Sequence, residues 1–176
     1  MPALVRGVDE LWRRGILIES GTDAYEFSHG KLREAAYDAI PPARRRALHD
    51  TAARACIASA AADDGRGGTS LVAAHFAAAN RIDEAVVWLH RASLEAQAMF
   101  AYAEATKLLE RALGLVPQLP PGDRHGRELE LLSSLPGVLA GVDGYGTSRM
   151  SAAHARALTV SSSLGRELEP SFVRSR

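Results

Sequence analysis

Residues 25–56 read YEFSHGKLREAAYDAIPPARRRALHDTAARAC, and the spacing of apolar residues in this stretch decides the fold class. It opens with apolar and polar residues in alternation from Tyr25 to Ser28, which is typical of a β-strand. After His29 the apolar residues recur at helical spacing. Pro41-Pro42 ends that helix, and a second helical pattern follows it. The stretch therefore predicts a strand that leads through a histidine into two helices.

The residues before this strand predict a helix and the partner strand of a β-hairpin. Four apolar residues recur at helical spacing: Leu4, Val8, Leu11 and Trp12. Gly15 lies where a left-handed helix cap is expected, Ile16 to Ile18 is a short apolar run, and residues 21–23 supply a turn. Helix, hairpin and helix in this order match the second half of a winged helix. We expect a truncated winged helix, with Met1 as the start of a fragment.

The chain beyond the hairpin is helical in pattern, and it has one clear linker. A helix is predicted over 43–62, and DDGRGG at 63–68 predicts the linker. Further helical patterns cover 70–79, 82–98, 101–116, 124–141 and 148–164. Pro136-Gly137 interrupts the fourth of these, so a kink or break is expected, because an interior proline costs about 3 kcal/mol. Residues 165–176 show no periodicity and are expected to be a disordered tail.

Two of these helical patterns are copies of each other. NRIDEAVVWLHRA (80–92) aligns without gaps with FAYAEATKLLERA (100–112). Identical residues coincide at Glu84/Glu104, Ala85/Ala105, Leu89/Leu109, Arg91/Arg111 and Ala92/Ala112. Repeated small residues, with Pro117 after the second copy, resemble the second helix of a tetratricopeptide repeat, although the signature of its first helix is missing. Residues 69–164 therefore predict a degenerate tetratricopeptide-like α-solenoid, with a generic helical bundle as the alternative.

A family resemblance is carried by FSHGKLREAAYDAI (27–40) followed by PPARRRALHDTAARAC (41–56). This text resembles the end of the ATPase module in STAND-class signalling ATPases, which include LuxR-type regulators and the ATPase-like partners of nucleotide cyclases. The resemblance covers about Leu4 to Leu164. It implies that residues 1–62 are the C-terminal part of a winged-helix subdomain plus a connecting helix, and that these pass into the helical array.

The resemblance also gives His29 a role. In the class, a histidine at the start of the last winged-helix helix reaches the bound diphosphate, and His29 matches that position. Gly30 stands where the better-known Met-His-Asp version has an acidic residue. A helix N-terminus with an imidazole attracts phosphate, so the resemblance implies a nucleotide-sensing role. The alternative is that His29 only caps the helix and packs against the hairpin.

The chain carries no sequence motif of a catalytic or metal site. A phosphate loop needs G-x-x-x-x-G-K-[ST], and the nearest text, GRGGTS at 65–70, lacks the lysine and the spacing. His49 and His75 fall on different predicted helices, and no two histidines have zinc-site spacing. Cys56 is expected to be a small core residue, and Glu128 and Glu130 to lie on solvated faces. We expect no enzyme activity and no cofactor in this chain, with ATP or ADP only in an upstream module.

The balance of acidic and basic residues limits the classes of partner that the chain could bind. Twenty-one basic residues match 21 acidic ones, so no bulk field draws the chain to nucleic acid or to an anionic membrane. The basic cluster at 44–46 is expected on a solvated face or at a subdomain contact. DNA binding is the alternative, through the helix from Ala3 to Arg14, whose charges are nearly balanced. The single cysteine and the absence of a signal pattern in the sequence predict a cytoplasmic location without membrane insertion.

These observations predict a mainly α fold: a truncated winged helix with one β-hairpin, followed by a tetratricopeptide-like α-solenoid. The predicted function is that of a non-catalytic regulatory and protein-interaction segment of a STAND-type ATPase or transcriptional regulator. The array is expected to bind a protein partner or small inducer and to relay that binding to an upstream nucleotide module. A DNA-binding winged-helix transcription factor fragment is the alternative. The isolated chain is expected to self-associate or to be only marginally stable, because the half winged helix leaves Leu4, Leu11, Trp12 and Ile16 without partner helices.

Overall fold

The structure is a computed structural model that describes residues 2–21, 24–62 and 68–165. Over these ranges the chain is mainly helical, with one small antiparallel hairpin, as the sequence predicts. The elements are α1 (Pro2–Arg13), β1 (Leu17–Glu19), β2 (Tyr25–Phe27), α2 (Gly30–Asp38), α3 (Pro42–Ala62), α4 (Thr69–Ala78), α5 (Ile82–Ala98), α6 (Tyr102–Leu115), a 3-10 turn (Val116–Gln118), α7 (Pro121–Asp143) and α8 (Ser148–Ser163). Across this described part, no helix combines the length and the apolar character needed to cross a membrane.

The chain divides into two compact units, residues 1–47 and residues 48–176. The boundary between them lies inside α3. The predicted linker lies outside the described residues except for Gly68. The predicted tail lies outside them except for Gly165. The turn expected at 21–23 is described only at Gly21.

The first unit contains α1, the hairpin and α2. Gly15 ends α1 with a φ of 68°, the left-handed conformation that the sequence predicts there. The strands pair in antiparallel register, with Leu17 opposite Phe27. Among the described side chains of this unit only Leu17 is buried, whereas Leu4 is 71% exposed and Trp12 is 50% exposed. The apolar face of α1 is therefore largely open to solvent.

In the second unit, α4 to α8 pack as a succession of antiparallel neighbours. Thr69 at the start of α4 donates a hydrogen bond to Glu95 near the end of α5, over 2.6 Å. Tyr102 at the start of α6 lies against Gly141 near the end of α7. The largest fully buried apolar side chains of the unit come from four helices, α4 to α7, and from Leu119 just after the 3-10 turn: Val72, Val86, Leu89, Leu109, Leu119, Leu131, Val138 and Leu139. A smaller apolar cluster of Ala53, Val72, Phe76 and Ala85 joins α3 to α4 and α5.

The repeated residues of α5 and α6 occupy equivalent places in this core. Ala85 and Ala105 are both fully buried, and Leu89 and Leu109 are 1% and 0% exposed. Arg91 and Arg111 are both exposed. Four of the five identical pairs therefore have the same burial in two consecutive helices, whereas Glu84 is partly buried and Glu104 is exposed.

The helix does not break at Pro136-Gly137, so the expectation of a break there is wrong, and the kink stays a prediction. α7 continues from Pro121 to Asp143 with Pro136 inside it, and Pro136 is buried. Its neighbours Leu135 and Val138 are also buried, at 8% and 1% exposure. Apolar burial on both sides of the proline offsets the loss of one helical hydrogen bond, so the helix persists through it.

Candidate functional site

α5 and α7 lie side by side and run in the same direction. Asp83 in the first turn of α5 faces the first turns of α7. Further along, His90 contacts Ser134. The Gln97 amide nitrogen near the end of α5 lies 3.6 Å from where a Cβ on Gly137 would stand. Contacts that advance together along both helices require a parallel arrangement, and α6 packs against both.

An open cleft of about 460 Å³ lies between the first halves of α5 and α7. Its lining residues are Asp83, Gly122, Asp123, Gly126, Arg127 and Glu130. A Cβ placed on Gly122 or on Gly126 would meet no neighbouring atom within 4 Å. The α7 side of the cleft therefore has open space at these two glycines. Arg127 pairs with Glu130 over 2.8 Å. The cleft is therefore polar, and it is approachable by a main chain or a charged side chain.

His90 links α5 to α7 at the inner end of this cleft. Its Nε2 lies 2.9 Å from the Ser134 hydroxyl oxygen, and its Nδ1 lies 3.4 Å from a carboxylate oxygen of Glu130. Only 14% of the His90 side chain is exposed, whereas the Glu130 side chain is 47% exposed. An acid, an imidazole and a hydroxyl thus stand in sequence, which is the arrangement that activates a hydroxyl. The sequence did not reveal this site.

A second histidine contact joins α3 to α4. The Nδ1 atoms of His49 and His75 lie 2.9 Å apart, with both side chains partly buried. At that distance one nitrogen must donate and the other accept, so the two Nδ1 atoms cannot both carry a proton. The sequence placed these histidines on different helices but did not predict that they meet. No group of three metal-ligating side chains occurs among the residues that the structure describes.

Ion pairs fix the neighbouring helices of the second unit. The hydrogen bond from Arg54 holds the pKa of Asp50 below its usual value, and Arg81 lies 3.5 Å from the same carboxylate. Arg156 on α8 donates to Glu128 on α7 over 2.6 Å, which raises the pKa of Arg156. The Glu128 side chain is only 15% exposed, so the expectation that it lies on a solvated face is wrong. Its arginine partner makes this burial tolerable.

His29 lies at the junction of β2 and α2, as the sequence predicts. It is the N-cap residue of α2, with extended backbone at φ −139° and ψ 136°, and it is exposed. Its side chain makes no capping hydrogen bond to α2. The imidazole therefore stands at a helix N-terminus without serving as a side-chain cap.

Two of the arginines considered for nucleic-acid contact, Arg14 and Arg45, make contacts within the first unit. Arg14 on α1 pairs with Glu10. In the basic cluster, Arg45 lies over the Tyr37 ring at 5.0 Å and stands 3.6 Å from Asp38. Each of these arginines thus has an acidic neighbour in its own unit. Cys56 is half-buried against the smaller apolar cluster and has a free thiol.

No protein-family model, curated protein or solved structure matches the chain.

Proposed function

We propose that this chain is a non-catalytic regulatory and protein-interaction segment of a STAND-type ATPase or transcriptional regulator. In this proposal the helical array is a degenerate tetratricopeptide-like α-solenoid, and a segment of a protein partner binds in the cleft between α5 and α7. The observation that carries the proposal is the parallel pairing of these two helices around an open polar cleft. Alternate helices of a solenoid lie side by side in this way and form its binding surface.

The lining of the cleft favours a polypeptide over an apolar small inducer. Asp83, Asp123, Arg127 and Glu130 present charged groups, and small-molecule sites are in contrast lined mostly by apolar and aromatic side chains. The glycines of α7 leave space for a partner main chain. A bound segment can thus form hydrogen bonds and ion pairs along both helices.

In this proposal the relay leads to the first unit, which is a truncated winged helix. His29 is exposed at the N-terminus of α2, where the positive end of the helix dipole favours an anionic phosphate. In the proposal, His29 contacts the diphosphate of ADP held by an upstream nucleotide module in the cytoplasm. Partner binding on the array then shifts the balance between the ADP and ATP states.

Site-specific photocrosslinking, carried out in the cells that naturally make this protein, tests whether a protein partner binds in the cleft between α5 and α7. A benzophenone amino acid replaces Arg127 in the cleft or, as the matched control, Arg111 on the exposed face of α6. We expect a protein adduct of one defined mass from position 127 and none from position 111. Equal adducts from both positions, or none from either, would contradict a partner site in this cleft.

A further inference from the structure

We propose that Ser134 is an activated nucleophile, with His90 as its general base and Glu130 as the residue that positions the base. Ser134 would react with activated acyl or phosphonyl donors, and the reaction would form a covalent ester on its hydroxyl oxygen. The inference does not depend on the proposed partner, because it concerns the chemistry of the chain alone.

The distances fit the proton route that such a site needs. His90 Nε2 lies 2.9 Å from Ser134 Oγ, within hydrogen-bond reach. His90 Nδ1 lies 3.4 Å from Glu130 Oε1. Glu130 and Ser134 stand one helical turn apart on α7, so one helix face presents both to His90.

The chemistry of the three groups favours one direction for the hydrogen bond between His90 and Ser134, and Glu130 Oε1 faces His90 while its Oε2 accepts from Arg127. An ionised Glu130 can only accept, so its carboxylate favours the His90 tautomer with the proton on Nδ1. Nε2 then has a free lone pair and accepts the proton of the Ser134 hydroxyl. The other acceptor in reach is the Glu130 carbonyl oxygen, at 3.5 Å, a longer and weaker contact. In that tautomer the shorter contact, at 2.9 Å, directs the hydroxyl proton toward His90 in preference to the Glu130 carbonyl.

A reagent can approach Ser134 from solvent, because the residue is not fully buried. Ser134 is of intermediate exposure, and the half-exposed Glu130 side chain lines the cleft one turn away. The largely buried His90 side chain is held between the two helices. The base is thus fixed in place while the nucleophile remains accessible.

The covalent step balances without any co-reactant. Ser134 Oγ attacks the acyl carbon or phosphorus, and its proton passes to His90 Nε2. The bond to the leaving group breaks, and the leaving group departs with the electron pair and then takes that proton. Ser134 lies inside α7, where backbone N–H groups are already hydrogen-bonded, so no backbone oxyanion hole supports a poor leaving group. The expected chemistry is therefore a single modification by donors with good leaving groups, and not turnover.

An alkyl fluorophosphonate probe on the purified full chain tests the inference. The rate of adduct formation is followed by intact mass spectrometry, and the modified residue is located by peptide mapping. We expect one adduct, on Ser134, with fluoride as the leaving group. The matched control is the neighbouring Ser133, which is exposed and whose hydroxyl donates to the Leu129 carbonyl over 2.7 Å. Ser133→Ala should label at the wild-type rate and Ser134→Ala should not label.

Two further variants separate activation from simple exposure. His90→Gln keeps a hydrogen-bonding side chain between the helices but removes the base, so labelling should fall by about 100-fold, the lower end of general-base contributions. Glu130→Gln should slow the labelling of Ser134, because the amide no longer offers His90 Nδ1 a charged acceptor. Circular dichroism checks that each variant folds. An unlabelled Ser134, equal labelling of Ser133, or a His90→Gln variant that labels at the wild-type rate overturns the inference.

Discussion

Asn80 and Phe100 adopt the same left-handed backbone conformation, with φ of 60° and 59°, and each follows the end of a helix. In both turns the next amide donates to the carbonyl five residues back, over 2.9 Å. One type of turn therefore joins α4 to α5 and α5 to α6. Asparagine adopts this conformation readily, whereas a bulky aromatic residue is strained in it. Phe100 is also 78% exposed, so little burial offsets that strain.

Replacing Phe100 by asparagine should stabilise the chain. Relief of the left-handed strain is worth about 1 kcal/mol, more than the loss of an exposed edge contact with Tyr102 at 6.2 Å between ring centroids. Urea unfolding of Phe100→Asn measures the gain. The reverse change, Asn80→Phe, should destabilise by a similar amount. A destabilised Phe100→Asn variant would show that the exposed ring makes a necessary contact.

The shared register of α5 and α6 is tested at Ala112. This residue is fully buried, as is its aligned partner Ala92 at 3% exposure. Ala112→Leu overpacks the helix contact and should cost about 1–3 kcal/mol in the free energy of unfolding. Arg111→Leu, one position earlier on the exposed face, should be close to neutral. Equal effects at the two positions would contradict the alignment of α5 with α6 that pairs Ala92 with Ala112.

Gly141 permits the close approach of α6 to α7. A Cβ on it would stand 2.4 Å from the Tyr102 ring, whereas a Cβ on Gly137 would stand 3.6 Å from Gln97. Gly141→Ala should therefore destabilise by about 1–3 kcal/mol, and Gly137→Ala should stabilise by about 0.5–1 kcal/mol through helix propensity. Thermal unfolding compares the two. In a Tyr102→Ala background the cost at Gly141 should disappear, and its persistence would refute the steric explanation.

Self-association of the isolated chain should depend on the open face of α1. Val5 and Trp12 are 56% and 50% exposed, and burying a large apolar side chain is worth about 1.5–3 kcal/mol. Sedimentation equilibrium of the wild-type chain should show an average mass above the 18.8 kDa of one chain. The double variant Val5→Ser/Trp12→Ser should show a lower average mass. Leu158→Ser on α8, at 58% exposure, is the control and should not lower it. A wild-type chain that stays monomeric at all concentrations and has high thermal stability contradicts this expectation.

Helix positions were predictable because local signals fix them. The spacing of apolar residues between two turn signals predicts a helix over 82–98, and α5 has those bounds. α7 begins at Pro121, earlier than the predicted residue 124, because proline is favoured in the first turn of a helix. Its continuation through Pro136 was missed, since that depends on burial against other helices, which local propensity does not include.

The contact between His90 and Ser134 could not be predicted in the same way. The two residues are 44 positions apart, and their meeting depends on which face of α5 turns toward α7. The sequence shows that both helices exist but not how they are rotated about their axes. The pairing of His49 with His75 was hidden for the same reason. Junction residues such as His29 are easier, because a change of periodicity marks them directly.

The proposed regulatory role depends on His29, and nucleotide calorimetry tests it most directly. The measurement uses the longer protein in which the proposal places a nucleotide module before this segment. It compares His29→Ala with Lys31→Ala, a control in the first turn of α2 whose side chain pairs with Glu34 at the surface. His29→Ala should weaken ADP binding more than ATP binding, by about 0.5–1.5 kcal/mol for one lost polar contact, while Lys31→Ala leaves both affinities unchanged. ADP affinity that is the same in the wild type and in His29→Ala would contradict a nucleotide-sensing role for this segment.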